Sequence, residues 1–327
     1  MEINRRLLPI AACLALTLGA CGAKAAEPAE SPPLAVAPAG RIVVVGEQAE
    51  GIVADPVTHL VAVGVRNPDG LVLFDGRTGA PTARVALPGH LRHLDLAGPG
   101  GPVLVADEDS GALVSIGLPA GERLSTVPIG RYPHAAVRES DGTLVVADEL
   151  GGAVVVVRDG GAVHRFTDGP QPGGLAVVGG LVAAIDVRDR TLSLYDTRRE
   201  VRVGQVMGGD GPTHLVADRH GRLQVVDTRG GRLLTFQVTP KLRRIAITPL
   251  GGTPYGITYD TVRDRLWVTL TGLNQVVGLD LAGAAPAVVS TFPTIRQPNT
   301  VAVDAATGRV FVAGRADGTV QLIDPPA

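Results

Sequence analysis

Imidazole is the side chain best suited to bind a divalent ion or move a proton near neutral pH. Three of the seven histidines in this 327-residue chain stand at equivalent points of a repeat. The repeat is a pivot of Pro, two variable residues and an apolar pair. It recurs at Pro133-His134-Ala135-Ala136-Val137, Pro172-Gly173-Gly174-Leu175-Ala176, Pro212-Thr213-His214-Leu215-Val216, Pro254-Tyr255-Gly256-Ile257-Thr258 and Pro298-Asn299-Thr300-Val301-Ala302. Two earlier copies, Ala49-Glu50-Gly51-Ile52-Val53 and Leu91-Arg92-His93-Leu94-Asp95, lack the proline and bring the count to seven. The slots that differ between copies offer Glu50, Arg92, His93, His134, His214, Tyr255 and Asn299 as candidate ligand-binding residues. Brought to one axis, they make a polar pocket for a small ligand, with a divalent ion as an option because imidazole and carboxylate both ligate one. Asp107, Asp148, Asp186 and Asp227 recur with the unit instead, and are read as turn caps, since Asp bonds nearby backbone amides.

The elements that would carry these slots are short strands. In the third unit four β-type runs, at 135–137, 144–147, 153–157 and 162–166, are separated by Ser140-Asp141-Gly142, Glu149-Leu150-Gly151-Gly152 and Asp159-Gly160-Gly161. Gly allows positive φ and Asp folds back on its own backbone, so each cluster favours a hairpin. Four strands per unit at a period of roughly 40 residues predict an all-β, seven-bladed β-propeller over residues 41–327. The last unit has only three strands, and the lone run at 41–45 is expected to complete it beside residues 321–324, closing the ring. In such a ring the pivots and the turns between second and third strands share one face around the channel. The opposite face carries repetitive turns such as 140–142, 218–221 and 304–308, suited to solvent.

The strings VLVADEDSGALVSI, LVVADELGGAVVVV, LQVVDTRGGRLLTF and VFVAGRADGTVQLID resemble the NHL-repeat and YVTN/YncE-type propeller families, and the turns 75–79 and 304–308 fit the same pattern. The resemblance covers residues 41–324, with Asp in place of the Asn of the Tyr-Val-Thr/Ala-Asn string. It implies the propeller fold, shared by scaffolds, binding proteins and a minority of enzymes. Residues 251–280 are similar to units of streptogramin-lyase and lactonase-like propellers, but the metal-dependent His and Glu residues of those enzymes match no positions here. No Gly-x-Ser-x-Gly elbow, His-Glu-x-x-His, phosphate loop or dinucleotide fingerprint occurs, so no catalytic residue is assigned.

The first twenty residues read as a leader. Arg5 and Arg6 precede an apolar run over residues 7–18, short of the roughly 20 residues a membrane-spanning helix needs. The run ends in Leu18-Gly19-Ala20-Cys21, which resembles a bacterial lipobox with Cys21 as the acylated residue. The only other cysteine, Cys13, would leave with the leader, so the mature fold is expected to have no disulfide. Residues 21–40 are rich in Ala, Pro and Glu and read as a tether. The net charge of −2 gives no reason to expect nucleic acid. The expectation is a monomeric module, lipid-anchored on the extracytoplasmic side of the cell membrane. Its channel face would bind a small polar ligand or an envelope protein, without a required cofactor. A metal-dependent lactonase- or lyase-like enzyme at the same channel mouth is the alternative.

Overall fold

The computed structural model describes residues 25–326; the leader and Cys21 lie outside them. Twenty-eight strands form seven four-stranded antiparallel sheets arranged as a β-propeller, and among the described residues the only helix is the short turn Thr271–Leu273. No helix among them is long and apolar enough to cross a membrane. The blades span residues 47–86, 94–128, 133–166, 172–207, 212–249, 254–293 and 298–323, and Arg41–Val44 completes the seventh.

Burial explains why the inner and outer strands read so differently. The second and third strands of a blade are covered on both faces by neighbouring blades, so Val103–Asp107 and Ala112–Ile116 are buried throughout. They therefore read as continuous apolar runs rather than alternating ones. The fourth strand, such as Arg123–Pro128, lies at the rim and is mostly exposed. The core is a ring of clusters between blades, as where Phe74 of the first blade meets Phe311 of the seventh edge-on.

The repeated Asp residues fix the joint between blades. Asp148 accepts the Arg131 amide (2.7 Å) from the loop entering its blade and pairs with Arg165. Asp186 accepts the amides of Gln171 (2.8 Å) and Asp189 (2.6 Å), and Asp227 those of Asp210 (3.0 Å) and Gly211 (2.7 Å). Asp107 accepts the Ser110 amide of its own turn. Gly130 and Gly151 lie against the Asp148 carboxylate, where any Cβ would collide with it. Asp107, Asp186 and Asp227 cap their own turns as the sequence reading had it, while Asp148 holds the incoming loop and Arg165 instead; buried carboxylates bonded in this way are structural elements.

Closure follows the expected pairing with a small shift in register. Arg41 lies opposite Leu322 and Val44 opposite Thr319, so the partner strand is Thr319–Ile323 rather than 321–324. Asp324 falls outside the ladder, its carboxylate held by the Arg309 guanidinium at 2.6 and 2.9 Å. Gln321 is fully buried. Its amide accepts from Ile295 N (3.1 Å) and donates to the carbonyls of Ala39 (2.6 Å) and Pro293 (3.0 Å), tying the strand before the ring to its last two blades.

The described part of the segment read as a tether lies against the ring. Ala26 is buried beside Gly211 of the fifth blade. Farther on, the Ala29 amide donates to Thr271 Oγ1 (3.1 Å), Ser31 Oγ donates to the Thr271 carbonyl (2.7 Å), and Asn274 Nδ2 donates to the Pro32 carbonyl (2.8 Å). Gln297 grips the same stretch, donating to the Ala29 carbonyl (2.8 Å) and accepting the Ser31 amide (3.0 Å). These contacts lie on the pivot face, along the fifth to seventh blades.

Candidate functional site at the channel mouth

All seven variable slots lie on one face, as the topology requires, but they do not form one even ring. Five gather in a cluster and two form a separate pair. Asn299, fully buried, donates from Nδ2 to Glu50 Oε1 at 2.8 Å, and Arg315 Nε lies 3.5 Å from Glu50 Oε2.

The cluster begins at Arg92. The second blade's inner strand is only Leu94–Leu96, the shortest of the ring; residues 90–93 lie outside the ladder, with Leu91 buried in the core and His90, Arg92 and His93 turned toward the mouth. Arg92 Nε donates to Glu108 Oε1 and Nη2 to Glu149 Oε2, both at 2.7 Å. Burial opposes the guanidinium charge, but the two carboxylates outweigh it and hold Arg92 above its ordinary pKa. Glu108 is itself buried, and the His134 and Arg92 side chains overcome that burial to keep its carboxyl below the usual range. Gln171 Nε2 donates to the other Glu149 oxygen at 2.8 Å. At the outer edge His90 lies between Asp109 (2.6 Å) and Glu108 (2.7 Å), with the Tyr132 hydroxyl 2.9 Å away. Burial and then Glu108 push the Tyr132 phenol up to about 12.

The three pivot histidines meet inside this shell. His134 of the third blade and His214 of the fifth are buried, and His93 of the second is partly so. His93 and His214 come from blades on opposite sides of the ring, yet their Nε2 atoms are 2.9 Å apart. They close the channel at this end. The His93 ring also stands edge-on to His134, with centroids 4.3 Å apart, and His214 stands edge-on to Tyr255 at 4.6 Å. Burial, then the neighbouring imidazoles and Arg92, depress His93 well below its ordinary pKa; burial and then His134 lower His214 to about 3. Burial, reinforced by Glu50, raises the Tyr255 phenol. Below the histidines runs the central channel, a cavity of about 420 Å³ whose walls are the inner strands. Asp95 lines it, and burial raises its carboxyl to about 7.

Glu108, Glu149, His90, Tyr132 and Gln171 were not among the residues singled out from sequence. A signal for the two glutamates was present: the residue after the repeated Asp is Glu108, Glu149, Val187 and Thr228, as varied from blade to blade as the pivots. For Tyr132 the cause is backbone geometry. Tyr132, Thr253 and Gln297 each precede a pivot proline with φ of 66°, 53° and 53°, a left-handed conformation uncommon outside glycine. It costs about 1–3 kcal/mol per residue and clusters at functional sites.

The opposite face is more than solvent-facing turns. His59 of the first blade meets Asp304 of the seventh at 2.8 Å, His220 of the fifth meets Asp264 of the sixth at 2.8 Å, and buried Asp218 is paired with Arg222 at 2.7 Å. The interblade contacts there link neighbouring blades, as do Arg92–Glu149 and Asn299–Glu50 at the mouth, whereas the His93–His214 contact reaches across the ring.

Fold and site together define a seven-bladed β-propeller with a polar, histidine-closed channel mouth. No family profile matches the sequence, and no curated protein matches it. Among solved structures it is similar to a chain of hydrazine synthase from Kuenenia stuttgartiensis, with a TM-score of 0.72, 15% identity, and coverage of 90% of this chain and 98% of that one. It is also similar to a streptogramin B lyase (TM-score 0.73, 12% identity, 86% and 96% covered) and to virginiamycin B lyase from Staphylococcus aureus (0.70, 11%, 86% and 99%). At these identities the likeness is one of fold.

Proposed function

We propose that this chain is a binding module that captures a small polar ligand at the channel mouth, and that acylated Cys21 holds it on the extracytoplasmic side of the cell membrane. The observation that carries the reading is the convergence of Arg92, His93, Glu108, His134, Glu149 and His214 from three blades onto one closed mouth. A ligand without sevenfold symmetry needs side chains that differ around the ring, and few apolar sites offer so many donors and acceptors. An enzymatic reading draws on one further contact. His134 lies between two carboxylates, 2.9 Å from Glu108 and 3.4 Å from Glu149, an arrangement able to move a proton. Two of the similar folds bear the names of lyases.

The test is a thermal-shift screen of the full chain in detergent against amino acids, dicarboxylates and sugars. Compounds that raise the melting temperature of the wild type should lose that effect in Arg92→Ala. Equal shifts in both proteins would put the site elsewhere.

A further inference from the structure

A proton on Nδ1 of both His214 and His134 is placed by what surrounds those two rings. His214 Nδ1 lies 3.0 Å from the Tyr255 carbonyl oxygen, which can only accept, so Nδ1 carries the proton and donates it. His134 Nδ1 lies 2.9 Å from Glu108 Oε1 and donates in the same way. A neutral imidazole protonated on Nδ1 presents Nε2 as a bare lone pair. In His214 that lone pair is directed at His93 Nε2, 2.9 Å away. His134 Nε2 has no hydrogen-bond partner among the described residues. One ligand atom from each of the three histidines lies within 4.8 Å of the others.

This is the outer arrangement that metal-binding imidazoles use: a carboxylate behind one and a backbone carbonyl behind another, fixing tautomer and ring orientation. Three nitrogens at the usual ~2.0–2.1 Å from one ion would stand roughly 3.3 Å apart in tetrahedral geometry, within the spread these residues already have. A second set, Glu108, His134 and Glu149, is also compact. Its oxygens are engaged, however. Glu108 Oε1 accepts from Arg92 and His134, and both Glu149 oxygens accept, one from Arg92 and one from Gln171. An ion there would have to displace a guanidinium.

We propose that His93, His134 and His214 hold one divalent transition-metal ion of the zinc type at the closed end of the channel, with Glu108 as the residue that positions His134. An all-imidazole donor set suits zinc, copper or nickel rather than magnesium or calcium. On binding, the ion replaces the proton that His93 Nε2 donates to His214, and His93 carries its proton on Nδ1 instead. The carboxylates of Glu108 and Glu149 supply the negative charge that three neutral imidazoles lack. Three protein ligands leave a fourth position, and the channel cavity beneath His93 and His214 gives it room. The inference rests on the binding-face reading and gives it a ligand class: small molecules with a carboxylate or other lone-pair donor able to complete the coordination.

The experiment is calorimetric titration of the full chain in detergent, stripped with chelator, with Zn²⁺ alone. One ion per chain should bind, His93→Ala should abolish that binding, and Glu108→Gln should weaken it roughly 10- to 100-fold. His164→Ala, on an outer strand beside Glu200, should leave it unchanged. Because an alanine variant could fail to fold, Cu²⁺-loaded wild type provides a readout without substitution: its electron paramagnetic resonance spectrum should show nitrogen couplings from three imidazoles. Folded wild type that takes up no stoichiometric Zn²⁺, Zn²⁺ uptake indifferent to His93→Ala, or a Cu²⁺ spectrum without imidazole couplings would each overturn the proposal. If Zn²⁺ fails to bind while screened compounds still bind and lose binding in Arg92→Ala, the metal inference alone falls. If the compounds fail as well, the binding-face reading falls with it.

Discussion

Arg92 and Asp227 are both charged residues on the same face, and their surroundings give them opposite roles. Asp227 is spent on the fold: two amides of the incoming loop and the Arg232 side chain end on one fully buried carboxylate. Asp227→Ala orphans those donors and should cost about 3 kcal/mol, read as a lowered denaturation midpoint with ligand binding by the surviving fold intact. Arg92 instead joins two blades through Glu108 and Glu149 while remaining partly open to solvent. The contrast was legible in the sequence, because Asp recurs at its position and Arg92 does not. The reach of His93 to His214 was not. Spacing along the chain gives each histidine its angle around the ring but not how far its side chain extends toward the axis. Glu108 and Glu149 were missed for a related reason, each standing next to a repeated Asp and being read with the turn.

At the scale of elements, strand number, blade count and closure were all readable, because a buried strand leaves an apolar run and a hairpin leaves Gly and Asp. Removing residues 41–45 should strip Val43 and Val45 from the core formed by the first and last blades. Burial of that size is worth about 3–5 kcal/mol, so the melting temperature should fall by roughly 5–10 °C. Gln321→Ala should cost about 1–3 kcal/mol through the groups it leaves unpaired, measurable by denaturant titration. The stretch before the ring could not be read. A segment held by Gln297, Thr271 and Asn274 needs no apolar period of its own, so its Ala/Pro/Glu composition looks the same docked or free.

At the scale of the whole molecule, that docked stretch bears on where the proposed acylation of Cys21 would place the ring. Ala25 packs at the fifth blade, and only three residues separate it from Cys21. Such a length spans at most ~14 Å. If Cys21 is acylated, the channel mouth is held close to the lipid surface and turned toward it. A fluorophore placed through Leu273→Cys, on the channel face, should therefore be quenched by headgroup quenchers in vesicles more than one placed through Ala306→Cys on the opposite face. Equal quenching would mean that the ring stands free of the bilayer.

The central claim is that binding belongs to the channel mouth, and equilibrium titration of the best screened compound tests it most directly. The titration compares folded wild type, the double variant His134→Ala/His214→Ala, and Asp141→Ala, which breaks the Arg198 pair on the opposite face. Binding should vanish in the double variant and survive in Asp141→Ala. A folded double variant that binds like the wild type, or a loss confined to Asp141→Ala, would contradict the account.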